Sequence, residues 1–214
     1  DGTVYKRESV LGSIYHSTPA VIGSPGEFLR DTSYGVFQTQ QKKRPLVLYT
    51  ATTDGQLHAF KVSRASSDDT FKVDAKENNE LWSFFPPAVL SSLASMFPGS
   101  QPESAVLDGP PVVQDVFFDR SKEQADNADV PWATMLVAGL GSAVKGYYAV
   151  DITNPEIVAA DAAKGPKFRW QLMDDESGNP LFGSPSQPTI TTLYFSPSAG
   201  ASPREIAACT LCVP

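Results

Sequence analysis

The sequence predicts an all-β protein: a partial β-propeller of four-stranded antiparallel blades, about two and a half of them, with one short helix near 87–97. Three observations carry that expectation. The stretch Leu46–Phe60 reads as a hairpin whose first strand, Leu46–Ala51, is apolar at nearly every position. A strand of that kind is buried on both faces, which antiparallel sheets achieve when sheet stacks on sheet. The order of parts then repeats, and 18 Pro with 15 Gly supply the turns that short strands need.

Taken in order, residues 1–14 form a mixed, polar introductory stretch. His16–Ile22 is a short strand led by Pro19, a residue tolerated at a strand's first position. Gly23–Pro45 reads as a long polar loop, and its basic run Gln41-Lys42-Lys43-Arg44 as a solvated approach to the next strand. Asp54-Gly55 turns the central hairpin, because both residues tolerate the positive φ of tight hairpin turns. Ser63–Asn79 is a second polar insertion, and Glu80–Phe85 an aromatic-rich strand. Pro86-Pro87 opens a helix with Val89, Leu90, Leu93, Ala94 and Phe97 at helical spacing, ended by Pro98-Gly99.

From Gly109 the series runs again. Gly109–Phe117 is a strand led by Pro111, Arg120–Val130 a charged loop, and Trp132–Gly139 an apolar strand. Gly139, Gly141 and Gly146 mark the turn into Tyr147–Ile152, and Phe168–Leu172 is the second strand bearing a tryptophan. A third start follows at Ser184–Thr191, led by Pro188, and then Glu205–Val213. Pro19, Pro111 and Pro188 thus share a role, as do His58-Ala59-Phe60 with Tyr148-Ala149-Val150, and Trp82 with Trp170. The expected organisation is a first blade with its helical insertion at 15–108, a second at 109–183, and the opening strands of a further blade at 184–214. The chain is expected to be a portion of a larger propeller, whose remainder would be its first partner.

Composition narrows the function. The chain has 214 residues and a net charge of −7, which argues against a nucleic-acid surface. No apolar run approaches the length of a membrane span. The opening Asp1-Gly2-Thr3 shows no leader, as expected of a mature, trimmed or excised chain. Cys209 and Cys212, in Cys209-Thr210-Leu211-Cys212, have strand-like flanks where redox chemistry would need a helix start. They are expected to be structural, reduced or locally bridged, and the only histidines, His16 and His58, are too scattered to complete a zinc site.

The sharper chemical readings each meet a blander one. Asp174–Asn179 offers oxygen ligands around Gly178, but Pro185 stands where a calcium loop needs its last acid. It reads as an acidic turn, and Asp126–Asp129 is a weaker case still. His16 and Ser17, as neighbours on a strand, would point to opposite faces and form no nucleophile–base pair. His58 reads as a hydrogen-bonded structural histidine. No catalytic, cofactor-binding or metal residue is assigned. The long loops Gly23–Pro45, Ser63–Asn79 and Arg120–Val130 are the candidates for partner contact, since scaffolds carry function on loops.

A strand, an Asp-Gly turn, Leu57-His58-Ala59-Phe60 and a Trp-bearing strand resemble the repeat of quinoprotein-type propellers. The fuller ordered set comprises Leu11–Pro19, Asp54–Phe60, Asp108–Val112, Trp132–Gly141, Gly146–Pro155 and Ser186–Ile190. It resembles the C-terminal propeller domain of the PilC/PilY family of type IV pilus biogenesis and tip proteins. That resemblance implies a non-enzymatic segment of a large exported protein, at the pilus tip or cell surface. Its implied partners are minor pilins and, for adhesion, host or abiotic surfaces. It implies no cofactor in this segment, because the family's calcium loop lies beyond the matched residues. A quinone-dependent dehydrogenase is the alternative from another class, and a periplasmic propeller scaffold a third.

Overall fold

The computed structural model of the chain describes residues 9–26, 32–63, 79–96, 105–118, 131–158, 165–174, 177–183, 186–196, 198–200 and 204–211. Two four-stranded antiparallel sheets and a two-stranded one follow each other in the chain. The first contains β1 (Ala20–Ile22), β2 (Leu46–Thr52), β3 (Gln56–Ser63) and β4 (Glu80–Phe84), side by side in chain order. The second repeats this with β5 (Val112–Phe117), β6 (Trp132–Gly139), β7 (Tyr147–Asp151) and β8 (Lys167–Leu172). The third pairs β9 (Thr189–Phe195) with β10 (Arg204–Thr210). The fold class expected from the sequence is the one observed.

The two full sheets agree in register. Ala59 stands opposite Trp82 and Ala149 opposite Trp170, and in both sheets the pairing slips just after that alanine. First strands neighbour each other, β1 against β5 and β5 against β9, as inner strands of successive blades do. Both faces of the middle strands are therefore covered. All eight residues of β6 and all five of β7 are buried.

Side-chain alternation divides that burial between two clusters. Leu136, Ala138, Tyr148 and Val150 face the first sheet, where they meet Val47, Tyr49, Leu57, Ala59 and Trp82. Ala133, Met135, Val137 and Ala149 face the other way, with Trp170, Ile190 and Leu211 packed on them. Each fully buried aliphatic side chain contributes about 2 kcal/mol through the water it sheds. Stacking of sheets thus holds the molecule together more than any single sheet's hydrogen bonds.

Two expectations need correction. The hairpin turn has three residues, Thr53–Gly55, because Thr52 pairs with Gln56, and Gly55, at φ 92°, supplies a left-handed step. The segment 23–45 is more than a loop: it contains a helix, α1 (Thr32–Gln40). The expected helix after Pro86 is present as a 3-10 turn, Pro87–Val89, running into α2 (Leu90–Met96). Val89 is buried and Leu93 half-buried against the hairpin turn, whereas Leu90 is exposed; Phe97 and Pro98-Gly99 lie outside the described residues.

Candidate functional site

Antiparallel order sends every connection to one of two ends. The turns Thr53–Gly55 and 140–146, and the sheet-to-sheet connections 85–111 and 173–188, belong to what we term the hairpin end. The connections 23–45, 64–79, 118–131 and 152–166 all leave from the opposite, insertion end. The three loops singled out from the sequence therefore spring from one side of the molecule. Residues 27–31, 64–78 and 119–130 of those loops lie outside the described residues.

At the insertion end, α1 lies against the second sheet. Tyr34 and Phe37, one helical turn apart, are both buried, and Tyr34 meets the Trp132 ring edge-on at 4.8 Å. Trp132 stacks edge-on with Phe117 as well and donates its Nε1–H to Ser33 Oγ at 2.8 Å. The Tyr34 hydroxyl donates to Asp115 Oδ2 at 2.7 Å, and the Thr134 hydroxyl to Asp115 Oδ1 at 2.5 Å. Arg44 closes the network: its Nε–H donates to the Gly23 carbonyl at 2.7 Å and Nη1 to Thr134 Oγ1 at 2.5 Å.

That placement corrects the reading of the basic run. Lys42 and Lys43 are exposed as expected, but Arg44 is only 7% exposed. Burial pulls its guanidinium below the ordinary arginine value, and the Asp115 carboxylate partly restores it. The phenol of Tyr49 is pushed up by burial, with Arg44 acting in the opposite sense. A cation so placed needs the fixed oxygens around it, which a solvated lysine does not.

A second device at this end joins the two sheets. Asp151 Oδ1 accepts the Thr153 N–H at 3.0 Å, folding Asp151–Pro155 into a turn, and Asp151 Oδ2 is paired with Arg169. The turn carries the Pro155 carbonyl to the Trp82 indole, whose Nε1–H it accepts at 2.8 Å. Lys61 Nζ and Glu156 Oε1, 2.6 Å apart, span the same junction. Trp82 is thus spent on packing between sheets, and Trp170 at the equivalent position packs towards Ile190 and Leu211.

The hairpin end is joined largely through main-chain hydrogen bonds, with Asp108 bonded to His16 and Gln171 to the Ala88 N–H beside them. Thr53 N–H donates to the Ser13 carbonyl at 2.8 Å, Val106 N–H to the Thr53 carbonyl at 3.2 Å, and Gly141 N–H to the Val106 carbonyl at 3.0 Å. A Cβ on Gly141 would collide with the Ala105 carbonyl, and one on Gly109 with the Gly139 carbonyl. Those close approaches explain why positions 109 and 141 carry glycine.

The individually weighed residues resolve as follows. His58 is buried and bonded at both ring nitrogens, to Glu80 Oε1 at 2.5 Å and Thr52 Oγ1 at 3.1 Å, as a structural histidine should be. His16 and Ser17 precede β1 and do not meet. His16 Nδ1 lies 2.6 Å from Asp108 Oδ2, while Ser17 Oγ accepts the Ala51 N–H at 2.8 Å. Asp174 bridges to Pro180, and Cys209 sits in β10 opposite Ile190. Asp175, Glu176, Cys212 and 126–129 lie outside the described residues. Sequence reasoning missed α1, Asp115 and Thr134; the spacing of Tyr34 and Phe37 was the one available signal.

Comparison with known proteins fits this construction. Over 200 residues the chain is 30% identical to the type IV pilus biogenesis factor PilY1 of Pseudomonas aeruginosa (strain UCBPP-PA14), covering 88% of this chain and 14% of that protein. It is 28% identical over 199 residues to PilY1 of Pseudomonas aeruginosa (strain PAK), again 88% of the chain and 14% of the relative. The PilY1 homolog of Xylella fastidiosa (strain Temecula1) is 27% identical over 161 residues, 72% of this chain and 11% of that protein. The chain therefore spans about one seventh of the first of these curated relatives, 14% of its length. No protein-family model matches the chain, and no solved structure matches it. The resemblance seen in the ordered motifs and the similarity to these relatives agree: the chain is PilY1-like, similar to type IV pilus biogenesis factors of that name.

Proposed function

We propose that this chain is the blade-bearing part of a type IV pilus biogenesis factor and works as a non-enzymatic interaction scaffold. The similarity to PilY1 over 88% of the chain is the observation that carries the reading. The architecture supports it, because the connections 23–45, 64–79, 118–131 and 152–166 all leave from one end of the stacked sheets, where a partner surface can be built without disturbing the core. Minor pilins at the tip of the pilus are the partners proposed for that end, with host or abiotic surfaces as a further contact. The protein would act outside the cell or in the periplasm, with no cofactor held by this segment. No helix among the described residues is long and apolar enough to cross a membrane.

The test is made in the intact protein. Replacing residues 64–78 by a short Gly-Ser turn should leave the protein exported in normal amount and reduce surface pili. Removing residues 9–211 should abolish the protein's contribution to piliation. Normal piliation after the larger deletion would overturn the proposal.

A further inference from the structure

A cleft of about 250 Å³ opens at the insertion end where β1 and β5 run side by side. Val21, Ile22, Pro25 and Val113 give it apolar walls, and Arg44 and Asp115 give it charge. Arg44 is held from behind by two bonds, Nε–H to Gly23 and Nη1 to Thr134. Its guanidinium fork has further N–H groups that no described residue accepts, and these stay open to the cleft, not sealed in the protein. Asp115 does not serve as that acceptor, since its two oxygens take the hydroxyls of Tyr34 and Thr134. The result is a fixed, mostly buried cation at the wall of a cavity, with its free donors open to the cleft.

We propose that this cleft is a carboxylate-binding subsite, in which Arg44 receives the acid and Val21, Ile22 and Val113 receive its apolar stem. Planar guanidinium and planar carboxylate match each other's geometry, and an ion pair shielded from water gains more than an exposed one. Burial lowers the arginine's proton affinity by more than Asp115 raises it, so an incoming anion relieves an under-compensated cation. The acid can be the side chain of Asp or Glu, or the free carboxyl end of a polypeptide. The inference stands apart from the pilus reading, because it rests on the cleft alone.

Saturation-transfer NMR on the intact protein tests it, with N-acetyl-glutamate α-amide and N-acetyl-leucine as probes for the two sources. Their uncharged counterparts, N-acetyl-glutamine α-amide and N-acetyl-leucinamide, are the controls. At least one acid should bind about tenfold better than its amide, as a charge-assisted hydrogen bond implies, and the stronger acid identifies the source. Arg44→Gln should remove that preference. Should Arg44→Gln fail to fold, Gly26→Phe decides, because a Cβ at Gly26 meets nothing within 4 Å while a phenyl ring there obstructs the cleft. Equal binding of acids and amides, or acid binding unchanged in Gly26→Phe, would overturn the proposal.

Discussion

The two ends of the stacked sheets are joined with different shares of main chain and side chain. At the hairpin end, Ser13, Thr53, Val106 and Gly141 are linked by main-chain hydrogen bonds, with no room for a side chain between them. At the insertion end, Tyr34, Arg44, Asp115, Thr134, Trp82 and the Pro155 carbonyl are linked through side chains that reach across the junction. A backbone joint tolerates almost any neighbouring side chain but demands glycine where chains touch. A side-chain joint demands particular partners but leaves the surrounding loop free to vary. That difference lets the loops of the insertion end vary in sequence around a joint fixed by a few side chains.

Removing a member of the side-chain joint should have the largest effect. Asp115→Ala leaves the Tyr34 and Thr134 hydroxyls without their acceptor and removes the carboxylate that partly compensates the Arg44 charge, at a cost of about 4 kcal/mol. Hydrogen exchange of the intact protein should then show β5, β6 and α1 loosened and the turn Thr53–Gly55 still protected. Equal loosening at both ends would break the division drawn above. Gly141→Ala makes the reciprocal test: its Cβ meets the Ala105 main chain, and overpacking of that kind costs about 3 kcal/mol. Here the hairpin end should exchange faster. Gly26→Ala at the opposite end, with open space around it, should move stability by less than about 0.5 kcal/mol.

Thr134→Val sharpens the comparison on a smaller scale. The hydroxyl both accepts from Arg44 and donates to Asp115, and its loss should cost about 1.5 kcal/mol in proteolytic resistance of the insertion end. The smallest effect belongs to Tyr148, between the two ends, whose buried hydroxyl has no hydrogen-bond partner. Tyr148→Phe should be neutral or slightly stabilising, because it removes a desolvated polar atom that nothing satisfies. Burial also pushes the Tyr148 phenol up, so the fold favours its protonated form. That contribution is complete below about pH 10, the unfolded value, and fades as pH rises further. An unfolding series above pH 10 should therefore fall less steeply in Tyr148→Phe than in the parent; identical slopes would contradict the assignment.

What the sequence disclosed follows the same division. The hairpin Leu46–Phe60, the glycines at 109 and 141, and the matched Trp82 and Trp170 were legible because each obeys a local rule: a turn, a close approach, a repeat. The exact turn was not, since Thr52 pairs with Gln56 and Thr53 joins the loop, where a two-residue Asp-Gly turn implies Thr53 opposite Gln56. Helix α1 was hidden because its fold depends on Trp132, 99 positions along the chain from Ser33. Nine residues with Gly35 among them show no apolar stripe beyond Tyr34 and Phe37. Arg44 looked like Lys42 and Lys43 until Thr134, 90 positions away, came to rest against it. Side-chain joints are written in two distant places, and neither place announces the other.

The proposed function turns on which end would meet a pilus, and amine cross-linking of the intact protein mixed with pili reads this directly. Lys42 and Lys43 are exposed at the insertion end, and Lys145 is exposed at the hairpin end. Cross-links from Lys42 or Lys43 to pilus subunits, with Lys145 left unlinked, are the predicted result. Cross-links from Lys145 with none from Lys42 and Lys43 would contradict it.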